Sequence, residues 1–147
     1  MRAPLSPNKH VHAEQYVANF FRSNGWSVEM QQEDSLSADL LIRHGKHRFI
    51  VEIKALSEGR PDRVLPVLSM AILQAKAAAE LSGNALPLAI IFVPEASLSL
   101  AKHVEVFAQK FAKDVPVGVI SGRGEQYFSG EAFQQLNRLP EEPSRLS

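Results

Sequence analysis

Between residues 10 and 24 the apolar positions Ala13, Val17, Phe20 and Phe21 fall on one side of a helix, while His12, Gln15, Asn19 and Arg22 fall opposite. Gly25 follows, where a left-handed glycine ends a helix. Residues 26–31 alternate apolar and polar, the period of a half-buried strand. Two further β-rich runs, 38–43 and 46–54, flank His44-Gly45 and predict a hairpin. Residues 57–66 carry Gly59, Pro61 and Pro66 and predict a loop. An alanine-rich helix is expected over 67–81, closed by Ser82-Gly83-Asn84. The nearly all-apolar run 86–93 suits a strand covered on both faces. A helix over 97–113, a strand over 115–120, a turn at Ser121-Gly122-Arg123-Gly124, a strand over 125–128 and a last helix over 131–138 complete the series. Residues 1–9 read as a loose arm and 139–147 as a tail.

The expected order is therefore α-β-β-β-α-β-α-β-β. Strands linked both by hairpins and by helices imply a mixed central sheet flanked by helices on both faces. No repeat or domain boundary interrupts the pattern, so a single α/β domain with its core over about 11–128 is expected.

Composition narrows the chemistry. The 147 residues include no cysteine, which excludes disulfides, thiolate zinc sites, cysteine nucleophiles and iron–sulfur clusters. No apolar run approaches a transmembrane span and the first residues lack a signal-peptide core, so a cytosolic setting and no membrane partner are expected. Lys and Arg number 16 against 16 Asp and Glu, and zero net charge argues against a protein that coats nucleic acid by bulk electrostatics.

The predicted hairpin holds the most informative charges. With His44-Gly45 as a two-residue turn, Asp39 faces Ile50 and Leu41 faces Arg48. Asp39, Glu52 and Lys54 then project from one face of the sheet, with Glu52 the diagonal neighbour of Asp39 at about 7–8 Å. A divalent cation fits between two carboxylates so placed. Burying Glu52 within the apolar strand costs several kcal/mol unless it is paired or binds metal. Glu14 borders the apolar stripe of the first helix, and Gln74 falls among Val67, Met70, Ala77, Ala78 and Leu81 on the second; both helices are expected to lean on the face that carries Asp39 and Glu52. The chemistry implied is metal-assisted phosphodiester hydrolysis, with the carboxylates holding Mg²⁺ and Lys54 handling a water or the developing charge.

On Ala38-Asp39 and then Glu52-Ile53-Lys54, with Glu14 on the first helix and Gln74 on the helix after the lysine strand, the sequence resembles the PD-(D/E)xK nuclease superfamily, whose fold is restriction-endonuclease-like. The pattern is nearest to Holliday-junction resolvases and RecB-type nucleases and covers roughly residues 11–95. The resemblance implies an αβββαβ core and a metal-dependent deoxyribonuclease. It makes Asp39 and Glu52 metal ligands with the Ile53 carbonyl as a third, and Lys54 the catalytic lysine. Glu14 would be an accessory metal or water contact, and Gln74 an organiser of the site. Alanine stands at 38 where the name-giving motif has proline, and Ala78 where the RecB-like signature has tyrosine.

DNA is the expected partner, gripped through Lys46, Arg60 and Arg63 in a locally basic stretch, with Mg²⁺ as cofactor and Mn²⁺ as substitute. A homodimer or a partner subunit would complete the groove. The alternative is a catalytically weak or inactive nuclease-fold subunit that binds DNA or a protein. His10-Val11-His12 reads as a helix start rather than a metal site, and the glycines at 122 and 124 as a hairpin turn rather than a phosphate loop.

Overall fold

The computed structural model describes residues 5–30 and 39–139. A six-stranded sheet runs in simple sequence order: β1 (Ser27–Met30), β2 (Leu40–His44), β3 (His47–Ala55), β4 (Leu86–Val93), β5 (Val117–Ser121) and β6 (Gln126–Phe128). β1, β2 and β3 pair antiparallel, β3, β4 and β5 parallel, and β5 and β6 antiparallel. The parallel links are made through α2 (Pro61–Ser82) and α3 (Leu98–Phe111), because two parallel strands need a long crossover and antiparallel ones only a turn. Both crossover helices pack on one face, over Ala89, Ile91, Val93, Val117 and Val119. α1 (Leu5–Ser23) and a 3-10 helix (Glu131–Leu136) cover the other, over Leu40, Ile42, Val51, Ile53, Leu88 and Ile90. The expected mixed α/β sheet with helices on both faces is what the chain forms.

Three boundaries differ from the sequence reading, each for a local reason. Helix α1 begins at Leu5, so much of the supposed arm is helical despite Pro7. Pro61 and Pro66 do not keep 61–66 in a loop. Pro61 occupies the first turn of α2, where its missing N–H is no loss. Pro66 costs one hydrogen bond that the helix, packed along its length on the sheet, tolerates. The last helix is 3-10 rather than α. The polar stretch 32–35, Ala38 and residues 140–147 of the expected tail lie outside the described residues.

One aromatic cluster locks the α1 side. Phe133, from the 3-10 helix, is fully buried and packs against Phe21, Trp26, Phe49 and Phe128 with ring centroids 4.8–6.2 Å apart. Phe128 also explains Gly118 beneath it: a Cβ there would lie 2.6 Å from the ring. Gly118→Ala is therefore expected to cost about 1–3 kcal/mol through overpacking, read as a fall in the urea midpoint at constant m-value.

Candidate active site

The hairpin turn is Gly45-Lys46, one residue later than the sequence suggested. His44 pairs with His47 and Leu40 with Val51. Gly45 has a φ of +60°, and among the described residues no non-glycine has a positive φ. A two-residue hairpin that needs glycine at its first central position meets both conditions. Moving the turn by one residue moves the pairing by two, so the paired residues 40–44 and 47–51 keep their faces. The register does change: the ladder ends with Leu40 paired to Val51, and the Asp39 N–H bonds to that same Val51, so Asp39 sits as a bulge beyond the last regular pair rather than on the diagonal from Glu52.

Asp39 is fixed by two bonds to β3. Its N–H donates to the Val51 carbonyl at 2.8 Å, and its Oδ2 accepts from the Ile53 N–H at 2.8 Å. A strand residue points its N–H and its carbonyl to the same side. The Ile53 carbonyl is thus turned toward the side of β3 where Asp39 sits, past the last β2 pair. Glu52 and Lys54 lie on the alternate face, that of α2 and α3, since their parallel partners are Ala89 and Ile91. The Lys54 Nζ stands 3.3 Å from Glu52 Oε2, with side-chain exposures of 27% and 14%. Apolar neighbours at 51 and 53 force this: their burial against α1 leaves 52 and 54 facing the other way. Glu14, Asp39 and Glu52 all have interaction partners.

Not every candidate joins this group. α1 packs on the opposite face of the sheet, not on the face of Glu52. Its N-terminal half lies over the C-terminal end of β4, where His12 and Tyr16 meet Phe92 at 5.9 and 4.9 Å, and Phe92 pairs with Ala55. Glu14, half-buried, is carried on that opposite face, toward the same end of the sheet. Helix α2 does pack on the Glu52 face, but with Val64, Leu68, Ala71, Ile72, Ala75 and Ala78 inward. Gln74 is exposed on its outer side. The stripe of Val67, Met70, Ala77 and Leu81 that surrounds it is real but is turned largely to solvent, because this helix carries apolar residues on its outer as well as its inner side.

The basic residues divide as well. Lys46 sits in the hairpin turn, about 26 Å along β3 from Lys54, and is not brought to the site. Arg60 and Arg63 flank the start of α2, in the loop side that follows β3, but each is exposed and paired: Arg60 with Asp62 at 2.9 Å and Arg63 with Glu58 at 3.8 Å. Arg123, which the sequence offered only as part of a turn, lies at the same end of the sheet. Buried Ser121 shapes that turn by accepting from the N–H groups of Arg123 and Glu125 while donating to Glu125 Oε1 at 2.8 Å. Arg60 and Arg123 line an open cleft of about 460 Å³ with Glu58, Glu95 and Glu125. A larger cleft of about 920 Å³ opens at the other end of the sheet, beside His47, Leu86 and Tyr127. Burial, and then the Glu105 carboxylate, raise the Tyr127 phenol above its usual pKa.

Among the described residues no three His, Asp or Glu side chains converge as a metal cage. A cation here would rest on two carboxylates and a backbone carbonyl, an all-oxygen donor set that fits Mg²⁺ or Mn²⁺ rather than a softer metal. Comparison of the sequence with protein-family models and with curated proteins finds no match. The site has to be read from its own geometry.

Proposed function

We propose that this chain is a Mg²⁺-dependent nuclease of the PD-(D/E)xK type that hydrolyses phosphodiesters in DNA. The observation that carries the reading is the Asp39 carboxylate anchored to the Ile53 N–H, with Glu52 and Lys54, the residues on either side of Ile53, 3.3 Å apart. Asp39, Glu52 and the Ile53 carbonyl would hold the cation, which when bound supplies charge neutralisation at the phosphate. Lys54 carries three donors and no acceptor as an ammonium. One contacts Glu52; the others can steady a phosphate oxygen as charge develops there. The hydrogen bond from Ile53 orients the Asp39 carboxylate, so that ligand geometry is set by the backbone of the same strand that presents Glu52 and Lys54. Arg60 and Arg123, at the same end of the sheet and paired with Asp62 and Glu95, would exchange those acids for phosphates to position the DNA backbone without reading sequence.

The alternative, a nuclease-like fold serving as a DNA-binding or protein-binding subunit, is favoured by one observation: Gln74 and the apolar stripe around it face outward. Incubation with supercoiled, linear and branched DNA separates the two. Cleavage with Mg²⁺ or Mn²⁺ that stops on chelation is the expected result, together with a divalent site seen by calorimetry. Neither cleavage nor Mn²⁺ binding would leave the subunit reading.

A further inference from the structure

Pro66, Met70, Leu73, Ala77 and Leu81 form the side of α2 opposite the one packed on the sheet. All five are exposed, with Met70 at 54%, Leu73 at 67% and Leu81 at 72%. The same outer layer carries Val106 and Phe111 of α3, at 50% and 73%, over a shallow apolar cleft of about 430 Å³. At on the order of 100 Å² per side chain, Met70, Leu73, Leu81, Val106 and Phe111 present roughly 500 Å². That is the upper range of the largest apolar patch a monomer exposes, about 300–600 Å². Half-exposed Leu65, Val67 and Phe107 carry the layer toward the ~800 Å² per partner of a stable interface.

We propose that this layer joins two copies of the chain, with α2 packed antiparallel on α2 of a second copy about a two-fold axis near Leu73 and Gln74. The stripe is self-complementary about that point. Met70 meets Ala77 of the second copy, a long side chain against a small one, and Pro66 meets Leu81. The steps of four, three and four residues from 66 to 77 are those of a helical seam. Gln74 lies beside the axis, where an amide can both donate to and accept from its symmetry mate, which gives this polar residue a place in an apolar surface. Balanced charge, 16 basic against 16 acidic, removes long-range repulsion between copies. A lipid surface fits less well, because membrane-seeking helices carry Lys and Arg along their flanks. Here the flanks hold Ser69, Gln74 and Glu80, and Lys76 is 3.6 Å from Asp114. The dimer does not depend on the nuclease reading.

Light scattering across a concentration series tests it, with vesicle flotation alongside. The expected result is a dimer mass at high concentration, with Leu73→Glu raising the dissociation constant at least ~100-fold, since each change is counted twice at a two-fold interface. Leu86→Glu, an exposed leucine elsewhere, should leave the mass unchanged, and circular dichroism should show both variants folded. Because the chain has no cysteine, Leu73→Cys should be joined to its own mate by a short bismaleimide, and Leu86→Cys should not. A monomer at every concentration, a dimer that survives both Met70→Glu and Leu73→Glu, or a monomer that floats with anionic vesicles would each overturn the proposal.

Discussion

Glu52→Gln is expected to reduce Mg²⁺-dependent DNA cleavage by about 10²–10⁴-fold while leaving the thermal transition within a few degrees of the parent. The substitution keeps the shape of the side chain and its hydrogen-bonding reach but removes the charge that would hold the cation. Losing several kcal/mol of charge stabilisation at the phosphate corresponds to that range, at 1.36 kcal/mol per tenfold. Side-chain exposures of 14% for Glu52 and 27% for Lys54 leave the lysine head within reach of water, so the fold is not burdened with a stranded charge. Three single variants then distinguish roles. Asp39→Asn should match Glu52→Gln in activity and lose divalent binding by calorimetry. Lys54→Met should cost a similar factor, in the range of general acid–base and electrostatic groups, yet retain the metal. Equal activity in all three, with cleavage intact, would remove the site from consideration.

Phe133→Ala should be the most damaging change to stability away from the site, at about 3–5 kcal/mol. The ring is fully buried and touches four other aromatic rings from α1, from the turn before β1, from β3 and from β6. Removing it leaves a cavity at the point where four separate segments meet, so no single segment can move to fill it. A domain of this length has ~7–20 kcal/mol to lose, and the variant should show a large drop in urea midpoint. A shift under ~1 kcal/mol would mean the 3-10 helix is not an essential part of the core.

Periodicity was sufficient for most of the chain. The run at residues 86–93 reads as a doubly covered strand and is β4 with the same bounds, because a strand flanked by neighbours and roofed by helices admits only apolar side chains. The hairpin itself followed from the glycine at 45 and the alternation around it, and the faces of its paired residues survived an error in the turn, since a slip of two residues preserves faces. The bond of the Asp39 N–H to Val51, beyond the last pair, was not legible. Gln74 shows the opposite case. A helix with two apolar stripes has none that by itself names the inner face, and the sheet chose Val64, Leu68, Ala71, Ile72, Ala75 and Ala78 over the stripe beside the glutamine. By length and hydropathy α2 also meets the requirements for a membrane-crossing helix, again because composition does not reveal which neighbours a helix will have. Arg60 and Arg63 illustrate a further gap: their charge is legible, but not the acids at 62 and 58 that meet them.

Local chemistry written in the chain determined the order of elements, the mixed sheet, the hairpin and the shared face of Glu52 and Lys54, because each rests on short-range periodicity and turn geometry. Only tertiary packing decided the rest. It placed α1, and with it Glu14, on the far side of the sheet, set Asp39 against Ile53 through a bond between residues 14 apart, and turned Gln74 outward. Those outcomes depend on which surfaces meet, and an apolar side chain carries no label for its partner.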